Sequence, residues 1–92
     1  MNEATSRTLR IVNKRGLHAR AAAKFVRTAG QFDAVVRVSH NGQEVSGLSI
    51  MGLMMLAAGI GQDISISTSG RQAEDALNAL ASLVTERFGE AD

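Results

Sequence analysis

Residues 16–20, with the sequence Gly-Leu-His-Ala-Arg, contain two side chains whose types suit phosphoryl chemistry. His18 directly precedes a run of strong helix formers, so we expect it at the start of a helix. A helix start holds anions well, because its first N–H groups lack intrahelical partners and carry partial positive charge. The imidazole adds a nucleophilic nitrogen, and Arg20 adds a permanent cation with donors shaped for phosphate oxygens. The segment predicts a histidine that carries a phosphoryl group.

The composition excludes several other classes of function. The chain has no cysteine, which removes disulfides, thiolate catalysis and thiolate metal sites. Its two histidines lack the spacing of metal ligands, so we expect no metal and no cofactor. A net charge of +1 and three aromatic residues, all Phe, argue against nucleic acid as a partner. His40 lies on a predicted strand without a charged constellation, and we interpret it as structural or solvated.

The length and the termini predict one cytoplasmic domain. The 92 residues suit a single domain, residues 1–92, with a core at about 7–88. The polar N-terminus lacks the apolar stretch of a signal peptide. No apolar run approaches the roughly 20 residues that a membrane-spanning helix needs, so we expect no membrane insertion.

Hydrophobic periodicity and turn residues predict the order β-α-β-β-α-β-α. The sequence Asn41-Gly42 is typical of a type I′ hairpin turn. The predicted strands cover residues 7–12, 34–40, 43–46 and 63–69, and the predicted helices cover 19–29, 49–58 and 71–88. This order favours an α+β fold, an open-faced β-sandwich with a mostly antiparallel four-stranded sheet and three helices on one face.

Two surfaces near His18 are candidates for partner binding. Arg20, Lys24 and Arg27 recur at i, i+4 and i+7 and form a basic stripe that would orient encounters with acidic partners. The second helix is apolar nearly all round. If Leu53, Leu56 and Leu48 form its buried stripe, other apolar side chains are left for a docking patch, and these are Ile50, Met51 and Met54.

Ser49 stands at the predicted start of the second helix. Its hydroxyl can accept a hydrogen bond from a free N–H group there, which fully explains the residue as an N-cap. A phosphate at this position would be stabilised by the helix dipole and would bring negative charge to the docking patch.

Residues 16–20, together with 49–54 (Ser-Ile-Met-Gly-Leu-Met) and the element order around them, resemble the HPr family of the bacterial phosphotransferase system. The resemblance covers residues 8–88. It implies a phosphocarrier rather than an enzyme: enzyme I phosphorylates His18 at Nδ1 with phosphoenolpyruvate as the ultimate donor, Arg20 stabilises the phosphate, and an enzyme IIA component accepts the group. We expect a monomer.

The resemblance also bears on regulation and rate. Ser49 matches the serine that HPr kinase/phosphorylase modifies in many HPr proteins, although Leu48 stands where those proteins often have lysine. Ala21 replaces the usual proline, a change that concerns the rate of transfer and not its chemistry. Residues 31–34 and 54–56 also resemble the nitrogen-regulatory NPr branch. The alternative is therefore a regulatory binding module that is switched by phosphorylation.

Overall fold

The computed structural model describes residues 4–91, and these contain a four-stranded sheet. In chain order the strands are β1 (Thr5–Arg10), β2 (Val35–His40), β3 (Gln43–Ser46) and β4 (Asp63–Ser69). Their order across the sheet is β1-β4-β2-β3, and each neighbouring pair is antiparallel. Residues 1–3 and 92 of the predicted domain lie outside the described residues.

Three helices accompany the strands: α1 (Ala19–Ala29), α2 (Ile50–Met55) and α3 (Ala73–Thr85). A short 3₁₀ turn at Arg87–Gly89 follows α3. Along β2 and β4, buried side chains alternate with more exposed ones, so one sheet face carries the core while the other faces solvent. Large buried side chains from both layers meet in one hydrophobic core, among them Phe25, Leu53, Ile64, Ile66, Leu80 and Phe88.

The predicted fold class and element order are confirmed, and the hairpin turn forms at the two residues predicted for it. Asn41 and Gly42 both have positive φ, 50° and 81°, as a type I′ turn requires. The first strand is shifted toward the N-terminus relative to the prediction, since β1 spans Thr5–Arg10 rather than 7–12. Ile11 lies beyond the strand but is fully buried.

The second predicted helix is too long. α2 ends at Met55, and Ala57 adopts the left-handed conformation with a φ of 55°. This reversal turns the chain so that the carbonyl of Ala58 accepts a 3.0 Å hydrogen bond from the N–H of Leu17. Leu48, offered as part of the buried stripe, is exposed because it precedes the helix cap.

The third predicted helix is also too long. α3 spans Ala73–Thr85 instead of 71–88, and Arg87 and Phe88 both have positive φ. The left-handed turn brings the Phe88 ring back into the core, where it is fully buried. Leu83 is only partly buried against the core. The turn also sends the last described residues across the start of α1.

Candidate functional site

A tight loop positions His18 at the start of α1. Gly16 has a φ of 66°, and a Cβ atom there would lie 2.5 Å from the carbonyl oxygen of Ala58. The close approach lets Leu17 bond to Ala58, which fixes the loop against the segment after α2. His18 is the N-cap, with an extended backbone, and its carbonyl accepts the first helical bond, from Ala22. The N–H groups of residues 19–21 are left without helical acceptors beside it.

The imidazole of His18 is paired with a carboxylate from the other end of the chain. Its Nε2 contacts Oε2 of Glu90, and each of the two side chains is 14% exposed. An ionised carboxylate only accepts hydrogen bonds, so a neutral imidazole bound to it carries its proton on Nε2. The lone pair is then on Nδ1, the nitrogen left for nucleophilic chemistry.

Glu90 is held in place by buried groups. The Nδ2 of Asn13 donates to Oε1 of Glu90 at 3.0 Å and to the carbonyl of Gly16 at 2.8 Å. Asn13 is fully buried, so its amide is a rigid link between the loop and the carboxylate. Two residues before Glu90, the carbonyl of Phe88 accepts a 2.7 Å hydrogen bond from Nζ of Lys24. The carboxylate thus has a defined position beside His18.

The environment of Glu90 favours its charged form. Burial opposes ionisation, but it is outweighed by the hydrogen bonds from His18 and Asn13 and by the positive charge of Arg15, so the pKa of Glu90 is lowered. The carboxylate is therefore ionised at neutral pH, in the state that accepts the Nε2 proton.

A cleft of about 350 Å³ with a basic lining lies beside this pair. Arg15, Arg20 and Lys24 contribute its cations, and Gly89, Glu90 and Ala91 complete the lining. We call it the basic cleft. Arg20 is exposed and Lys24 is partly buried, while Arg27 is exposed further along the helix. The predicted basic stripe therefore begins at the basic cleft.

His40 lies away from this arrangement. Its side chain is buried, with 8% of the residue exposed, and Nδ1 makes a 2.9 Å hydrogen bond with the carbonyl of Asp63. It bridges β2 and β4 and agrees with the structural interpretation.

The predicted docking patch is exposed on α2. Ile50, Met51 and Met54 are 42%, 69% and 39% exposed, while Leu53 is fully buried against the core. Met55, not identified from the sequence, is 73% exposed. We call Ile50, Met51, Met54 and Met55 the apolar surface. Leu48 and Ile60, which are also exposed, flank α2 in the sequence.

Ser49 is the N-cap of α2. Its Oγ accepts a 2.9 Å hydrogen bond from the N–H of Gly52, and the residue is partly buried. The capping role predicted from the sequence is confirmed.

Two residues of the site, Asn13 and Glu90, were not found from the sequence. Glu90 is 72 residues from its partner His18, and neither residue type nor spacing relates the two. Asn13 precedes a glycine-containing loop, which marks a turn but gives no sign of a buried amide. Among residues 4–91, no group of three or more His, Cys, Asp or Glu side chains could hold a metal ion. No helix in the same range is long and apolar enough to cross a membrane.

Comparison with known sequences gives consistent matches along the chain. A family model described as the PTS HPr component phosphorylation site matches residues 5–86. The phosphocarrier protein HPr of Cupriavidus necator is 50% identical over 82 residues, which are 89% of this chain and 92% of that protein. The phosphocarrier protein HPr of Pseudomonas aeruginosa is 53% identical over 83 residues, with the same two shares. The phosphocarrier protein NPr of Shewanella violacea is 41% identical over 85 residues, 92% of this chain and 93% of that protein.

Solved structures show the same architecture. HPr-C-His from Thermoanaerobacter tengcongensis superposes with a TM-score of 0.91 at 40% identity, covering 96% of this chain and 99% of that one. The phosphocarrier protein HPr from Bacillus anthracis gives a TM-score of 0.84 at 43% identity, covering 88% and 96%.

Proposed function

The chain belongs to the HPr family of phosphocarrier proteins of the phosphotransferase system, and from that membership we propose that His18 is its phosphoryl acceptor. It is a phosphocarrier, not an enzyme with its own small-molecule substrate. One observation carries the assignment of the site: His18 caps α1 with Nε2 held by Glu90, which leaves Nδ1 as the nucleophile beside the helix start.

The proposed transfer exchanges one N–P bond for another. The Nδ1 lone pair of His18 attacks phosphorus on the phosphohistidine of enzyme I. As the new N–P bond forms, the bond on the donor breaks and its electron pair stays on the donor nitrogen. The N–H groups of residues 19–21 and the guanidinium of Arg20 stabilise the negative charge that arrives. Transfer to a nucleophile on an enzyme IIA component repeats the step with His18 as the leaving group.

Partner docking is assigned to the apolar surface and the basic stripe. Ile50, Met51 and Met54 offer flexible apolar contacts, which suit a protein that meets both a donor and several acceptors. Lys24 and Arg27 would orient those encounters toward acidic partners. As part of the same proposal, the protein acts as a monomer in the cytoplasm.

Phosphorylation of Ser49 by an HPr kinase/phosphorylase is a further part of the proposal. The Oγ of Ser49 is at the start of α2, directly before Ile50 and Met51. A phosphate there would place negative charge at the edge of the apolar surface and weaken docking. We expect Ser49→Asp to remain folded, because aspartate is a good cap, and to bind enzyme I more weakly. Unchanged binding would leave Ser49 as a cap only.

A second candidate role is that of a nitrogen-branch regulatory module. It is favoured by the similarity to the NPr of Shewanella violacea. In this role phosphorylation of His18 switches binding to regulatory targets instead of feeding sugar transport. Transfer from the phosphorylated protein to a sugar-specific enzyme IIA separates the roles, since only the carbohydrate carrier completes it rapidly.

The test of the proposed site uses purified protein, enzyme I and phosphoenolpyruvate. We expect one acid-labile phosphate on the wild-type protein and none on His18→Ala. The control is His40→Gln, which alters the other histidine and should still be labelled. Label that persists in His18→Ala would overturn the assignment.

A further inference from the structure

We propose that Glu90 is a positioning residue for phosphoryl transfer, with its carboxylate holding the Nε2–H of His18 so that Nδ1 is the reacting nitrogen. The inference rests on the proposed function of His18 and adds a residue to it. Asn13 contributes to the same positioning, because its amide donates a hydrogen bond that fixes the carboxylate of Glu90.

The geometry is built from both ends of the chain. Phe88 is fully buried, and its carbonyl is bound by Lys24 of α1. The N–H of Glu90 then donates to the carbonyl of Arg87 at 2.9 Å, which closes the turn. These contacts fix the backbone of the turn, and so they hold the carboxylate of Glu90 beside His18.

The assignment of the proton follows from the partners. Oε2 of Glu90 accepts from His18, and Oε1 accepts from Asn13, so both carboxylate oxygens act as acceptors. An imidazole that lost this contact would exchange its proton between the two ring nitrogens. Only the form with hydrogen on Nε2 has a lone pair on Nδ1, and the carboxylate selects that form.

The same carboxylate suits the charge change of the reaction. When Nδ1 bonds to phosphorus, the ring keeps its Nε2 proton and becomes positively charged. Glu90 stabilises that charge without taking the proton, since no bond to hydrogen has to break. The phosphoryl oxygens are left to the helix start and to Arg20, one of the cations of the basic cleft. Carboxylate and cations thus act on different parts of the phosphorylated group.

The experiment compares Glu90→Ala with Glu86→Ala in the full chain. Glu86 is an exposed glutamate on the neighbouring turn and is the matched control. Two quantities are measured: the tautomer of His18 by NMR of isotope-labelled ring nitrogens, and the single-turnover rate of phosphorylation by enzyme I. Circular dichroism verifies the fold of each variant.

We expect Glu90→Ala to shift His18 toward a mixture of tautomers and to slow phosphorylation about tenfold, the size expected for loss of one charged hydrogen bond. Glu86→Ala should match the wild type in both measurements. Glu90→Gln keeps an acceptor oxygen and should recover part of the rate. It also replaces Glu90→Ala if the latter does not fold.

An unchanged tautomer, or an unchanged rate in a folded Glu90→Ala, would overturn the inference. A slower rate with the wild-type tautomer would also overturn it, because Glu90 would then act by another route. Failure of the proposed function looks different: the wild-type protein itself would not be phosphorylated on His18, while the NMR measurement would still report whether Glu90 fixes the ring.

Discussion

The ammonium of Lys24 donates a 2.7 Å hydrogen bond to the carbonyl of Phe88, 64 residues later in the chain. This contact ties the second turn of α1 to the left-handed turn after α3. It also engages a cation that the sequence assigned to partner docking. Lys24 and Arg27, neighbours in the basic stripe, therefore have different surroundings, since Arg27 is exposed.

The first prediction separates these two cations. Lys24→Ala should lower the free energy of unfolding by roughly 1–2 kcal/mol, because a partly buried charged hydrogen bond is lost. Arg27→Ala should leave stability within about 0.5 kcal/mol and slow association with enzyme I in a salt-dependent way. Urea denaturation and stopped-flow binding measure the two effects. Equal stability losses in both variants would contradict this distinction between Lys24 and Arg27.

The second prediction concerns Arg20. Its side chain is exposed and lines the basic cleft, so its role should lie in transfer and not in folding. Arg20→Ala should slow phosphorylation of His18 by about tenfold or more while the thermal midpoint changes little. Arg20→Lys should be affected less, since it keeps the charge but not the fork of donors. A large fall in thermal midpoint with a normal transfer rate would make Arg20 structural.

The elements that could be predicted from the sequence are those set by neighbours in the chain. The Asn41-Gly42 turn and the N-cap at Ser49 each depend on residues within four positions, and both formed as expected. His18 was found in the same way, because an N-cap followed by helix formers is a local pattern. Hydrophobic periodicity also predicted a layer of helices on one face of a sheet, because an alternating strand or an amphipathic helix has only one apolar face to bury.

The features that could not be predicted from the sequence depend on contacts between residues far apart in the chain. The left-handed Phe88 has no local signal, since only burial of its ring in the core justifies that backbone conformation. Once that turn is made, Glu90 reaches His18 and Asn13, a relation that spacing along the chain could not reveal. α2 was overextended for a similar reason: Ala57 reverses so that Ala58 can bond to Leu17.

The third prediction is a pH dependence of stability. In the folded protein burial opposes ionisation of Glu90, but its hydrogen bonds with His18 and Asn13 and the charge of Arg15 lower its pKa. Arg20 and Lys24 line the same cleft. A lowered folded pKa means that this stabilisation is present above the ordinary value of 4.5 and is lost as the pH falls through the folded value. Glu90→Gln should be less stable than the wild type at neutral pH, and the difference should shrink in acid. Denaturation curves of both proteins at neutral and at acidic pH measure this difference in stability. A difference that grows in acid would contradict the sign.

The fourth prediction tests the loop before His18. Gly16→Ala forces a side chain into a left-handed residue and against the Ala58 carbonyl, 2.5 Å away. We expect a loss of about 3 kcal/mol and slower transfer, because both strain and a backbone clash must be relieved. Gly61→Ala is the control: its φ is 84°, but open space surrounds the added atom. It should cost only about 1–2 kcal/mol. Similar losses in the two variants would mean that the contact with Ala58 does not constrain the loop.

The last prediction concerns the apolar surface. Met51 is 69% exposed on α2, so Met51→Glu should leave the fold intact and weaken binding to enzyme I and enzyme IIA by about tenfold or more. The control is Val35→Glu, an exposed apolar residue at the start of β2 next to the inward-facing Val36 and so on the solvent face of the sheet. It introduces the same charge away from the helices and should bind normally. Isothermal titration measures both affinities. If the two variants bind equally well, α2 is not the docking surface, and if both bind weakly, the effect is one of net charge rather than of Met51.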